Sequence, residues 1–357
     1  MTIKQHHTIP PVPNQSLDEA QPSASWLACR KQKLNLLLPG IIASLVVAAS
    51  ASFLSEHYGA PVMLMALLLG MALGFLSEEG RAVAGIRFTS STILRIGVAL
   101  LGMRITVEQI LSLGGTLMAV VIGAVFLTIS FGILLSRLLG QSRDFGILSG
   151  GSVGICGASA ALAISAVLPQ NKDSERNTIF TVISVTALST IAMIAYPPIA
   201  QWFGLDAQQA GVFLGATIHD VAQVVGAGYS MSDATGDTAT VVKLLRVAML
   251  VPIVFSLSLL MRKRGAADGL RPALPLPLFI IFFVLFVAIN SSGVASTQVQ
   301  EFAGDVSRWC LITAIAALGM KTSLKSLLEV GWRPATLLIS ETLFLATLIL
   351  FAVKWLG

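Results

Sequence analysis

Apolar segments long enough to cross a lipid bilayer follow one another along nearly the whole chain. They fall at about residues 34–54, 60–76, 89–103, 116–139, 145–168, 178–203, 208–230, 238–261, 275–294, 306–320 and 334–356. A water-soluble fold needs polar residues to cover its outside, and here only 11% of the 357 residues are charged, against roughly 25% in an average soluble domain. In hydrocarbon every backbone N–H and C=O must be satisfied internally, and segments of this length select helices for that purpose. The expected fold class is all-α: a polytopic membrane protein of about eleven transmembrane helices. The segments at 89–103 and 306–320 are short, the pattern of helices that stop partway or abut a re-entrant turn. Residues 1–33 are polar and Pro-rich, without the apolar core or cleavage site of a signal peptide. They read as a disordered cytoplasmic tail ahead of a transmembrane domain at 34–357.

Simple alternation of the spans puts most loop cations, from Arg30 to Arg333, on the same side as the N-terminus. Only Arg104, Lys172, Arg176 and Lys354 fall opposite. By the positive-inside rule the N-terminus is cytoplasmic, and an odd number of spans places the C-terminus outside. The net charge of +5 does not indicate nucleic acid, because the basic residues sit in short loops and form no face. Cys29, Cys156 and Cys310 are far apart with no CxxC, so neither a disulfide framework nor a metal site is expected.

The chain repeats itself. Leu100-Leu101-Gly102-Met103-Arg104 returns as Ala317-Leu318-Gly319-Met320-Lys321. At the same offset Thr106 matches Ser323, Ile110-Leu111 matches Leu327-Leu328, and Gly114 matches Gly331. Odd spacing between the copies makes them cross in opposite directions, the inverted-topology repeat of many secondary transporters. A weaker likeness joins Gly146–Val153 to Gly211–Ile218. Simple alternation makes that pair parallel, so either one segment is re-entrant or the two merely pack alike.

Chemistry concentrates in three places. The run from Gly150 to Ala160, with Gly151, Ser152, Gly154, Cys156 and Gly157, lies inside an apparent span, where each glycine weakens a helix by up to ~1 kcal/mol. Its density favours a broken helix whose free N–H groups hold an anion, over close packing through small residues. The second place is Thr217–Gln223. His219 and Gln223 are four apart and Asp220 and Gln223 three apart, so on a helix each pair shares a surface. Asp220 and Glu341 are the carboxylates that fall well inside spans, where a charge costs at least ~2.5 kcal/mol and function is the first hypothesis. His219 titrates near neutrality and suits a coupling proton. The third is Lys243 with Arg246, which either compensate Asp220, attract an anion, or snorkel to the interface. Arg95 is a candidate partner for Glu341.

Taken together, Gly151–Ala161, Gly215–Val225 and Lys243–Val247, with Ala316–Met320, resemble the YeiH-like sulfate exporter family of bacterial inner-membrane proteins. The resemblance spans roughly residues 34–356. It implies a fold like those of bile-acid symporters and cation/proton antiporters, with inverted repeats and discontinuous helices, and the family's name implies sulfate or sulfonate export. It carries over Gly154, Cys156, Gly157, His219, Gln223, Lys243 and Arg246 as functional positions, with Asp220 as the acid after the histidine. The resulting expectation is a secondary transporter of a small anion, coupled to protons or sodium by alternating access, with no cofactor. Gly151, Ser152, Gly154, Cys156, Gly157, Gln223, Lys243 and Arg246 would bind substrate, and His219 and Asp220 would couple the ion. Its partners would be the lipid bilayer and a second copy of itself. The alternatives are an intramembrane hydrolase using Ser152 or Cys156 with His219, and an oligomeric channel. The hydrolase is disfavoured because adjacent helical side chains, such as those of His219 and Asp220, diverge by about 100°.

Overall fold

The computed structural model describes residues 26–262, 278–322 and 332–356. Of the tail expected at 1–33, residues 1–25 lie outside them and 26–33 are helical. Among the described residues the regular structure is helical throughout. Helices α1 (Trp26–Tyr58) and α2 (Val62–Ala72) lead to α3 (Val83–Phe88), which passes through a widened turn at Thr89–Ile93 into α4 (Leu94–Leu101). A short α5 (Val107–Ser112) precedes α6 (Gly115–Leu138), α7 (Arg143–Gly154), α8 (Ala158–Ser165) and α9 (Ser174–Trp202). Then come α10 (Ala207–Thr217), α11 (Val221–Met231), α12 (Asp233–Ala248), α13 (Leu250–Arg262), α14 (Leu278–Ser291), α15 (Thr297–Lys321) and α16 (Trp332–Leu356). Among the described residues every apolar segment is built from helices. Seven described helical stretches are long and apolar enough to span a bilayer, and α2 and α14 are shorter apolar helices. The protein is an all-α, multi-pass membrane protein.

Three boundaries differ from the hydropathy reading. Helix α1 starts at Trp26, ahead of Leu34, because the polar stretch before Leu34 continues the same helix. The segments at 89–103 and 306–320 are not truncated: α3 begins at Val83, and α15 runs unbroken from Thr297 to Lys321. Glu301, Asp305 and Arg308 in the first half of α15 hid its true length.

The segments 145–168 and 208–230 are discontinuous, and each folds back on itself. At the base of the first, Ser142, Asp144 and Phe145 line one pocket with Ser165, Leu168 and Pro169. A single straight helix would hold Ser142 and Leu168 on the order of 40 Å apart at 1.5 Å per residue. Gly151 of α7 also abuts Ile164 of α8. In the second, α10 runs parallel to α12, with Gly211 against Thr235 and Thr238 and Gly215 against Ala239 and Val242. Helix α11 runs antiparallel to α12, with Gly228 against Gly236. Both segments are therefore re-entrant helical hairpins. Side-chain caps start the helices at their bases: Ser142 for α7, an Asp206–Gln209 capping box for α10, and Ser232 for α12.

Helix α9 crosses from the base of the first hairpin to the base of the second, so the hairpins enter from opposite sides. Lys172, between α8 and α9, and Arg176, in the first turn of α9, consequently lie on the N-terminal side, not opposite it as simple alternation has them. That correction sharpens the charge asymmetry, leaving Arg104 and Lys354 on the far side. It also makes the likeness between Gly146–Val153 and Gly211–Ile218 an antiparallel one, carried by the inbound arms of the two hairpins.

The longer repeat is visible in the packing. Helix α4 packs antiparallel on α15, with Gly97 against Leu311 and Arg104, just beyond α4, against Gly304, and α6 packs on α16. The matched glycines serve matched purposes: a Cβ on Gly102 would sit 2.4 Å from the Phe283 carbonyl oxygen of α14, and one on Gly319 would sit 2.3 Å from the Leu67 carbonyl oxygen of α2. Helices α2 and α14 are thus counterparts. The repeat residues Ser323, Leu327-Leu328 and Gly331 lie outside the described residues.

Candidate functional site

The glycine-rich run performs two tasks at different positions. Gly146, Gly150 and Gly154 are spaced by four and face α6. A Cβ on Gly146 would lie 2.5 Å from the Gly132 carbonyl oxygen, and one on Gly150 would lie 2.9 Å from that of Thr128. Close packing is therefore real, and so is the break. After Gly154 the chain leaves the helix, and Gly157 takes φ 63° and ψ −123°, a conformation open to glycine alone, before α8 begins. The first hairpin's tip sits against Val125, near the middle of α6.

Breaking a helix leaves its last carbonyls without N–H partners. At the first tip these belong to Val153, Gly154 and Ile155, and at the second to Gly215 and Ile218. Two cations on α12 satisfy them. Lys243 Nζ donates to Ile155 O (2.8 Å) and Ile218 O (3.0 Å). Arg246 Nε donates to Gly154 O (2.9 Å), Nη1 to Gly215 O and Ile218 O (3.1 Å each), and Nη2 to Val153 O (2.7 Å). Both side chains are buried. Lys243 and Arg246 thus neither snorkel nor form an ion pair with Asp220; they tie the two tips together. Val153 and Ile218, equivalent in the weaker internal likeness, both give their carbonyl to Arg246.

The histidine motif is not one helical surface, because Ile218–Asp220 is the non-helical tip of the second hairpin. Ser189, near the middle of α9, accepts the backbone N–H groups of His219 (3.1 Å) and Asp220 (3.0 Å). Asp220 is half-buried and caps α11 by accepting from Ala222 N (2.8 Å). Gln223 Nε2 donates to Thr190 Oγ1 (2.7 Å), while its Oε1 is buried without a partner. His219 Nε2 lies 3.1 Å from Thr342 Oγ1 on α16. Thr342 Oγ1 also donates to the Leu338 carbonyl (2.8 Å). The other ring nitrogen, Nδ1, is buried and makes no hydrogen bond among the described residues.

Glu341 is fully buried on α16 and accepts from Ser149 Oγ of α7 (2.7 Å). Arg95 is not its partner, since it sits exposed on α4. Ser152 donates to Leu148 O in its own helix, and Cys156 is buried at the tip. The structure therefore gathers Gly154, Cys156, Gly157, His219, Asp220, Gln223, Lys243 and Arg246 at one locus, with Gly151 and Ser152 one turn back in α7. The sequence reading missed Ser149, Ser189, Thr190 and Thr342. Their signal was the presence of the polar pairs Ser189-Thr190 and Glu341-Thr342 in the middle of apolar spans.

Four helix ends converge here: the C-termini of α7 and α10 and the N-termini of α8 and α11. Their partial charges, about −0.5 and +0.5 at each respective end, cancel to first order. The basic side chains of Lys243 and Arg246 sit at these ends, with Asp220 the nearby carboxylate. His219, Gln223, Lys243 and Glu341 have no solvent exposure, so this conformation is closed at the tips. On the side opposite the N-terminus, a vestibule lined by Arg104, Tyr229, Asp233 and Arg308 approaches the second hairpin. An Arg104–Asp233 ion pair of 3.0 Å borders it.

Residues 39–338 match the family model described as conserved hypothetical protein 698. The UPF0324 membrane protein CT0845 of Chlorobaculum tepidum is 66% identical over 329 residues, covering 92% of each chain. The UPF0324 membrane protein TauZ of Paracoccus denitrificans is 54% identical, covering 89% of this chain and 95% of its own. Among solved structures, the sodium proton antiporter MjNhaP1 of Methanocaldococcus jannaschii aligns over 91% of this chain and 98% of its own. It does so at 13% identity and a TM-score of 0.28, too low to carry an argument about fold or mechanism.

Proposed function

This chain belongs to the UPF0324 family of membrane proteins, and we propose that it is a secondary transporter of a small anion, sulfate or a sulfonate, working by alternating access. The observation that carries this reading is the pair of hairpins entering from opposite sides, with tips joined mid-membrane by Lys243 and Arg246. Irregular backbone is tolerated at that depth only where protein buries it or it borders a cavity. Oppositely inserted halves around such a locus are the architecture of alternating access. The excess of positive charge favours an anion as cargo. Because Lys243 and Arg246 are occupied by carbonyls, they set the field, and the N-terminus of α8, whose N-cap Gly157 has no side chain, is the better source of direct donors. A proton or sodium gradient would drive transport. The charge asymmetry supports a bacterial inner-membrane orientation with the N-terminus in the cytoplasm.

Two observations weigh against an intramembrane hydrolase: Ser152 is turned onto its own helix, and His219 Nε2 is held by Thr342. Tips sealed from solvent weigh against an open channel. Purified protein in proteoliposomes decides among these readings. A carrier gives saturable uptake of labelled sulfate, competed by sulfonates and accelerated by an imposed proton or sodium gradient. Linear, non-saturating flux would indicate a channel, and inert vesicles across a panel of anions would end the anion-carrier reading.

A further inference from the structure

We propose that Glu341 is a proton-binding site in the middle of the membrane, occupied by a proton in this conformation, and that through it transport is coupled to the proton gradient. The coupling half of this proposal rests on the carrier reading above. Glu341 lies near the centre of α16, fully buried, where α6 and α7 close over it. Its Oε1 accepts from Ser149 Oγ at 2.7 Å, and its Oε2 has no hydrogen-bond partner. A recess holds the carboxyl group at Gly132, where a Cβ would stand 2.3 Å from Oε1 and 2.7 Å from the Gly146 carbonyl oxygen.

Among the described residues no cation is paired with this group. The ion pairs among the described residues, Arg104–Asp233 and Arg176–Asp173, lie elsewhere, and Lys243 and Arg246 are committed to hairpin carbonyls. Helix α6 brings Gly132 to it and α7 brings Ser149, neither of them charged. The ionisable neighbour is His219, held at Thr342 one residue further along α16. An ionised carboxylate with one hydroxyl donor and no counter-charge costs several kcal/mol in such a place. The neutral acid keeps the Ser149 bond and removes the charge.

Ser149 rides on the hairpin and Glu341 on α16, so a shift of one against the other opens the recess. A proton taken from water on one side forms the O–H bond of the acid. Release to water on the other side breaks that bond and regenerates the carboxylate, which is tolerated only once the recess is hydrated. Proton occupancy and hairpin position are thereby linked.

Two measurements test the proposal. Infrared spectra of the purified protein at neutral pH should contain the C=O stretch of a protonated carboxyl group that Glu341→Gln, a neutral isostere which still accepts from Ser149, removes. Identical carboxyl bands in both proteins would overturn the assignment. In sulfate-loaded proteoliposomes, E341Q should retain sulfate-for-sulfate exchange while losing acceleration by an imposed proton gradient. An E341Q carrier that responds to the gradient like wild type would overturn the coupling role. Wild-type vesicles inert to every anion would instead sink the carrier reading and its coupling step together, leaving the infrared result to decide the proton site alone.

Discussion

An Arg246→Ala protein should fail to hold its two hairpins together and should melt far below wild type in detergent. The substitution removes the donors to Val153, Gly154 and Gly215, and Ile218 keeps only Lys243. Each buried carbonyl left without a partner costs about 1–3 kcal/mol. Three of them lose on the order of 5 kcal/mol, comparable to the whole stability of many domains. Arg246→Lys should fall between, because one ammonium cannot reproduce a planar fork reaching four carbonyls on two hairpins. Thermal melts and monodispersity on gel filtration give the answer. If Arg246 were instead a free ligand for the transported anion, R246A would fold like wild type and lose only binding.

Gly146→Val should be nearly as damaging by a different route. The new Cβ would meet Ser136 Oγ at 2.4 Å and the Gly132 carbonyl oxygen at 2.5 Å. The serine can rotate, but the backbone of α6 cannot yield without moving the hairpin. Overpacking of this kind costs about 1–3 kcal/mol where side chains can adjust, and more against backbone. Gly123 of the same α6 is the contrast. Nothing lies within 4 Å of its Cβ position, so Gly123→Ala should raise stability by up to ~1 kcal/mol through helix propensity. Melting curves in which both variants move the same way would count against the packing described for α6 and α7.

The helical segments were legible in the sequence because hydropathy reports burial in lipid directly. The hairpins were not. A re-entrant pair such as α7 and α8 presents the same length of apolar sequence as one crossing helix, and only the reversal at Ile155–Gly157 separates them. Two traces did exist. Lys172 and Arg176 sat on the wrong side of an otherwise consistent charge bias, and the likeness of Gly146–Val153 to Gly211–Ile218 refused to be antiparallel under simple alternation. Lys243, Arg246, His219 and Gln223 were recognisable as buried polar residues inside apolar surroundings. Their partners were hidden for a physical reason: backbone carbonyls freed by a helix break carry no side-chain signature. Arg95 was matched to Glu341 by charge alone, whereas α4 turns Arg95 outward and Ser149 takes the contact.

The hairpin topology can be read directly with single cysteines at Arg143, Lys172, Ala207 and Ala234, in a background where Cys29, Cys156 and Cys310 are replaced. A membrane-impermeant maleimide applied to right-side-out and inverted vesicles reports the side of each. Cysteines at 143 and 172 should react from one side of the membrane, and those at 207 and 234 from the other. Labelling of positions 143 and 172 from opposite sides would make the first hairpin a simple span and remove the joined tips on which the mechanism stands.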